Sequence, residues 1–261
     1  MKVVAQKLAD TWFLLLPRRQ PSLQVILNCK IISHRGEHDN RQIKENTMVA
    51  FARIAEAGGW GIEFDVRWTR DLQPVVIHDS NTMRVFGIDL EVAAVDLHEL
   101  RQQLPEIPTL EEVVARFGGN THLMVELKSD QLGAVASRAD RLREIFSALT
   151  AGDDYHFLSL QLDLFELVKF AGDQACLPVA ELNLGNFSRK VLTRNLAGVC
   201  GQYLLLNRAL IQRHHRQGQK LGTGFIASRF CLYRELNRGV DWIFTNHALK
   251  LGAIRQELLK R

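Results

Sequence analysis

The chain has only four cysteines, Cys29, Cys176, Cys200 and Cys231, and no two of them stand as a Cys-x-x-Cys pair. Neither a thiolate zinc motif nor a dithiol redox motif is therefore present, and the four are read as reduced thiols packed like small hydrophobes. Long apolar runs are also missing: a membrane-crossing helix requires about 20 such residues. The apolar patch at residues 12–16 follows Asp10 and is closed by Pro17-Arg18-Arg19. It is too short for a secretory signal core, and no small-residue cleavage site follows it. Positive charge is not concentrated either. Lys and Arg total 33 against 29 Asp and Glu, a net charge of +4, scattered along the chain without a basic run. A mild preference for anionic ligands is expected, but no nucleic-acid partner. The cytoplasm is the expected compartment, without stable membrane insertion, and nothing in the sequence sets the oligomeric state.

What is abundant is apolar surface, with 46% of 261 residues hydrophobic. Short runs rich in Val, Ile and Leu alternate with longer stretches of helical period, the pattern of parallel strands joined by crossover helices. Principal strands are expected at 24–33, 61–68, 122–128, 156–161, 176–182, 198–206, 220–227 and 241–245, with helices between them and an extended segment at 74–78. Eight strands in a chain of this length predict an α/β fold, a (β/α)8 TIM barrel. Residues 79–107 break the alternation and read as a short insertion after the second strand, carrying a short helix near 95–103. No linker, low-complexity segment or repeat divides the chain, so 1–261 is expected to be a single domain. Residues 1–20 are read as an N-terminal helical cap over the barrel floor.

The chemistry concentrates in one stretch. His34-Arg35-Gly36, Glu45-Asn46-Thr47, Glu63-Phe64-Asp65 and His78-Asp79 follow in close succession. Side chains alternate across a strand, so Glu63 and Asp65 point to one face, as do Glu126 and Lys128. Paired carboxylates suit one hard divalent cation. In a parallel barrel all C-terminal strand ends open on one face, which would gather these groups.

These residues resemble the glycerophosphodiester phosphodiesterase family. The likeness rests on His34-Arg35-Gly36; on Glu45-Asn46-Thr47 with Ala50-Phe51; on Gly61-Ile62-Glu63-Phe64-Asp65-Val66, Thr69 and Asp71; and on Pro74-Val75-Val76-Ile77-His78-Asp79. It continues through Ile107-Pro108-Thr109-Leu110-Glu111-Glu112, Glu126-Leu127-Lys128 and Gly239-Val240-Asp241 with Thr245-Asn246, in family order. The resemblance implies a (β/α)8 barrel and metal-dependent hydrolysis of a small glycerophosphodiester to an alcohol and glycerol 3-phosphate. It places the metal ligands on Glu63, Asp65 and Glu126 and the catalytic pair on His34 and His78. Arg35 and Lys128 are placed at the phosphate, with Glu45 beside the metal and the arginine. Carboxylates without nearby cysteine favour one Mg²⁺ or Ca²⁺. Histidine suits acid–base work near neutral pH, with His34 favoured as the base and Asp79 read as orienting His78 rather than as a ligand. Water or the substrate's own glycerol hydroxyl could be the nucleophile, the latter through a cyclic phosphate.

The seventh-strand segment departs from the family pattern, reading Leu221-Gly222-Thr223-Gly224-Phe225-Ile226-Ala227-Ser228, with Phe225 standing in for the aromatic wall. The insertion is short as well. Two alternatives therefore stay open: a lysophospholipase D-like activity on acylated substrates, and a barrel that binds phosphodiesters without turnover. Lys128 could serve only as an ion-pair partner of Glu126, and Glu45 only as an anchor of Arg35. His38 is expected to be exposed, and His214-His215-Arg216 to be a helix end.

Overall fold

The computed structural model describes residues 12, 16–130 and 133–260. Nine strands follow in chain order: β1 (Lys30–His34), β2 (Gly61–Trp68), β3 (Pro74–Val76), β4 (His122–Leu127), β5 (Tyr155–Ser159), β6 (Cys176–Ala180), β7 (Gly198–Gln202), β8 (Lys220–Gly224) and β9 (Trp242–Thr245). All but β3 pair in parallel in the cyclic order β1-β2-β4-β5-β6-β7-β8-β9, and β9 returns to β1 to close an eight-stranded barrel. Helical segments occupy the crossovers, making this a (β/α)8 TIM barrel. β3 instead folds back antiparallel on the end of β2, opposing Val66 to Val76 and Trp68 to Pro74.

The period of two divides each strand between two cores. Ile62, Phe64 and Val66 of β2 and Leu123, Val125 and Leu127 of β4 join the layer between sheet and helices. Ile32, Met124, Leu158, Leu177, Cys200, Trp242 and Phe244 fill the barrel interior. With both faces buried, the strands read as near-continuous apolar runs. The residues alternating with Ile62, Phe64 and Val66 are Glu63 and Asp65, so the outer packing that seats β2 also turns both carboxylates inward.

Three expectations need correction. Residues 24–33 are not one strand: Leu23–Asn28 is helical and β1 begins only at Lys30. Arg255 Nε holds that helix by donating to the Ile26 carbonyl at 3.0 Å. The crossover after β5, expected as a regular helix over 163–171, is a 3-10 helix, Leu162–Ala171, interrupted at Val168. β7 stops at Gln202, well short of residue 206. The insertion over 79–107 does hold short helices, Met83–Phe86 and Leu97–Gln103, and packs on a small core of Val75, Ile77, Val92, Leu100, Leu104 and Ile107. The helical cap expected over 1–20 falls mostly outside the described residues. Among the described residues, no helix is long and apolar enough to cross a membrane.

Candidate active site

At the C-terminal end of β1 the chain turns sharply. Arg35 and Gly36 both take left-handed backbone conformations, with φ of 59° and 80°. Gly36 is required there: a Cβ would lie 2.7 Å from the Ala50 side chain and 2.8 Å from its backbone carbon. This turn swings Arg35 back over the barrel mouth, where its N–H donates to the Glu63 carbonyl at 2.8 Å. Asn46, also left-handed with φ of 58°, donates from Nδ2 to Asp65 Oδ2 at 2.8 Å.

Glu63, Asp65 and Glu126 meet in the mouth, each offering a carboxylate oxygen within 4.8 Å of the others. All three are buried. Register explains the meeting, since Asp65 of β2 lies opposite Glu126 of β4. Arg35 Nε stands 3.0 Å from Asp65 Oδ2, and Lys128 Nζ 2.8 Å from Asp65 Oδ1 while also pairing with Glu126. Asp65 is buried, yet Lys128, Arg35 and His78 hold its carboxyl below the ordinary range. Glu63 is pushed well up, by burial first and then by Asp65 and Glu126. Burial likewise raises Glu126, against the pull of Lys128. Glu63 Oε1 is buried with no hydrogen-bond partner. An orphaned carboxylate oxygen facing two more carboxylates is costly without a cation, and an all-oxygen donor set suits a hard divalent ion. The residues therefore fit one metal ion.

Both histidines lie near this trio. His34 sits opposite Glu63 in the β1–β2 register, its Nε2 3.8 Å from Glu63 Oε2. Its Nδ1 donates to Asn246 Oδ1 at 2.7 Å. Burial, reinforced by Arg35, lowers its pKa to about 4. His78 follows the β2–β3 hairpin, which Ile77 N ties to the Asp65 carbonyl at 3.0 Å. His78 Nδ1 donates to Asp79 Oδ1 at 2.6 Å. Burial lowers its pKa too, while Asp65 opposes the shift. The Phe225 ring stands edge-on to His34, centroids 4.9 Å apart at 86°.

Glu45 accepts from Arg35 Nη1 at 2.9 Å and from Asn40 Nδ2 at 2.6 Å, and it also holds Arg84 of the insertion. Every residue singled out for the site thus lies at the barrel mouth. One side expectation fails, the exposure of His38, while His214-His215-Arg216 does close the helix Arg208–His215. His38 is nearly covered, donating to the Gly36 carbonyl at 2.9 Å and facing Glu45. His214 is fully buried, donating from Nδ1 to Gln219 at 2.7 Å and accepting from Ser188 at 2.8 Å, while His215 pairs with Asp241. Sequence reasoning missed Asn246, Asn46 and Arg84 as partners of site groups. Asn246 could have been found by the strand-end rule that located the others, for it directly follows β9.

Residues 34–250 match the model of the glycerophosphoryl diester phosphodiesterase family. A glycerophosphodiester phosphodiesterase of Caldanaerobacter subterraneus is 36% identical over 111 residues, 38% of this chain and 45% of that protein. One from Bacillus altitudinis is 25% identical over 88% of this chain and 99% of its own length. An Oleispira antarctica phosphodiesterase solved with the product sn-glycerol-3-phosphate shares the fold, with a TM-score of 0.74 at 20% identity over 88% of this chain and 98% of that one. With that match covering most of its length, the chain belongs to the glycerophosphoryl diester phosphodiesterase family.

Proposed function

We propose that the chain, acting as one catalytic domain, hydrolyses small glycerophosphodiesters to an alcohol and glycerol 3-phosphate, with one Mg²⁺ or Ca²⁺ held by Glu63, Asp65 and Glu126. The observation that carries this reading is the buried carboxylate trio with His34 beside Glu63 and His78 within electrostatic reach of Asp65. The bound cation would act as a Lewis acid on a phosphoryl oxygen. Charge bookkeeping supports it. Glu63, Asp65 and Glu126 against Arg35 and Lys128 leave one net negative charge when all are ionised. A divalent ion turns that into one positive, the complement of a phosphodiester monoanion. Arg35 offers a planar fork to two phosphate oxygens and Lys128 a compact charge, so the pair grips the phosphate from two directions.

The histidines differ in what holds them. An amide oxygen accepts from His34 Nδ1, which leaves Nε2 with its lone pair and supports His34 as the base that takes the proton of water or of the glycerol hydroxyl. A carboxylate accepts from His78 Nδ1, favouring the imidazolium and supporting His78 as the acid that protonates the leaving alkoxide. The deciding experiment is hydrolysis of glycerophosphocholine, glycerophosphoethanolamine and glycerophosphoinositol with and without chelator, with product identification. Metal-dependent release of glycerol 3-phosphate is expected. Full activity in chelator, or no turnover of any of them with metal, would overturn the reading.

A second reading, hydrolysis of acylated substrates in the manner of a lysophospholipase D, is favoured by one feature. Leu160, Leu182, Leu204 and Phe225 follow the ends of β5, β6, β7 and β8 in turn, and their exposures of 39%, 64%, 48% and 50% are unusual for large apolar residues. They form an apolar arc opposite the charged strands, suited to a hydrocarbon chain.

A further inference from the structure

Arg84 lies on the short insertion helix Met83–Phe86, outside the barrel strands. Its guanidinium nevertheless engages two carboxylates at once. Nη2 and Nη1 grip Glu45 at 2.6 and 3.2 Å, and Nε donates to Asp79 Oδ2. Each of those carboxylates also holds one substrate-facing group: Glu45 accepts from Arg35 Nη1 at 2.9 Å on the same Oε1 that Arg84 Nη2 grips, and Asp79 accepts from His78 at 2.6 Å on its other oxygen, Oδ1. Accordingly a single side chain joins the phosphate-gripping arginine to the leaving-group histidine.

An exposed ion pair is worth little by itself, and Arg84 is about half exposed. Two features separate this contact from such a pair. The Glu45 side chain is only 5% exposed, and the fork is two-pronged, a geometry that fixes direction as well as charge. The helix is anchored as well: Thr82, fully buried, donates from N to the Leu90 carbonyl at 3.0 Å and from Oγ1 to the Ile88 carbonyl at 2.5 Å.

We propose that Arg84 is a positioning residue that sets Arg35 and His78 relative to one another through Glu45 and Asp79, so that the insertion tunes turnover without touching substrate. The inference rests on the roles proposed above for Arg35 and His78. Without the fork, Glu45 keeps Arg35 and Asn40 but loses its outer restraint, and Asp79 is free to rotate off the imidazole. A lysine, with one compact ammonium, cannot reach both carboxylates in the same way.

The test compares wild-type protein with Arg84→Gln and Arg84→Lys, following kcat and KM for glycerophosphocholine with Mg²⁺, the unfolding temperature, and the proton resonance of His78 Nδ1–H. Loss of a group that orients a catalytic partner typically costs 10–100-fold, so a fall in kcat of roughly that size is expected for Arg84→Gln, with only partial recovery in Arg84→Lys. Unfolding temperature should change little, and the His78 proton should broaden or shift. In an Asp79→Asn background the same substitution should cost less than in wild type, because one of its two arms is already gone. Wild-type kcat and KM in both variants, or full additivity with Asp79→Asn, would overturn the proposal. If wild-type protein turns over no glycerophosphodiester, the functional reading fails, and the His78 proton decides the relay by itself: unchanged in Arg84→Gln, it sinks the proposal, and altered, it supports it.

Discussion

His34 and Glu63 face one another across the β1–β2 register, with Nε2 3.8 Å from Oε2. The proposed base and a proposed metal ligand are thus direct neighbours, and whatever charge Glu63 carries is felt by the proton that His34 would take. Glu63 is the least comfortable member of the trio, pushed up by burial and by the other two carboxylates.

A cation should therefore stabilise the fold as well as enable the reaction. A carboxyl whose folded pKa lies above its unfolded value contributes stability below the unfolded value, and loses it as pH rises through the folded one. In metal-free protein near neutral pH, Glu63 is accordingly a burden that Mg²⁺ or Ca²⁺ removes. Calorimetry in chelator, then with excess cation, should show a rise in unfolding temperature for wild type and a much smaller one for Glu63→Gln. An equal rise in both would remove Glu63 from the ligand set.

The unequal partners of the two histidines lead to unequal dependence on the leaving group. Both His34→Ala and His78→Ala should cost at least ~10²-fold in kcat on glycerophosphocholine. On a nitrophenyl phosphodiester, whose leaving group needs little help from an acid, the His78 variant should recover most of its loss and the His34 variant should not. Recovery in the His34 variant instead would reverse the assignment.

The turn after β1 tolerates no side chain. Gly36→Ala would put a methyl group within 2.8 Å of Ala50 backbone at a positive φ. Destabilisation of about 2 kcal/mol is expected, from strain and overpacking together. Urea unfolding measures it, and a loss below about 0.5 kcal/mol would show that the helix Met48–Glu56 shifts to make room.

Acid sensitivity should come from the opposite end of the barrel as well as from His34. His122 donates from Nδ1 to the Asp153 carbonyl at 2.8 Å, and its Nε2 accepts from His156 Nδ1 at 2.9 Å. Burial drives His122 to about 4, and burial followed by the His122 charge drives His156 to about 3. Both stay neutral in the fold while the unfolded chain takes up protons below about pH 6.5. Their contribution is fully present above that pH and is lost as pH falls towards about 4 and then 3, at up to about 1.4 kcal/mol per pH unit for each ring. His156→Gln should flatten that slope in urea titrations between neutral and mildly acidic pH. An unchanged slope would place the acid sensitivity elsewhere.

The apolar arc makes its own prediction. Leu182→Ser and Leu204→Ser should raise KM for a lysophospholipid several-fold and leave glycerophosphocholine unaffected. Equal effects on both substrates would rule out the arc as an acyl-chain contact.

Much of this was readable from residue order, because β2 buries both faces: the apolar partners Ile62, Phe64 and Val66 fix its register, and Glu63 and Asp65 must then face inward. The segment Leu23–Asn28 was not readable, since its short apolar run carries no period that separates strand from helix. His38 lies in a polar loop and looked exposed, but the turn at Gly36 folds that loop back onto Glu45. The contacts of Asn246 and Arg84 were not readable because they depend on side-chain direction across 212 and 39 residues of chain.

The strands that bear the reactive charges, β1, β2 and β4, are contiguous in the barrel, and His78 hangs from the hairpin on the middle one. The remaining arc of staves, apart from Asn246 after β9, bears none of the proposed reactive groups. Exchanging the loops on that arc between relatives should redirect which alcohol is released while leaving the proposed bond-breaking groups intact, and the fold would then separate selectivity from reactivity along a line running straight through its own axis.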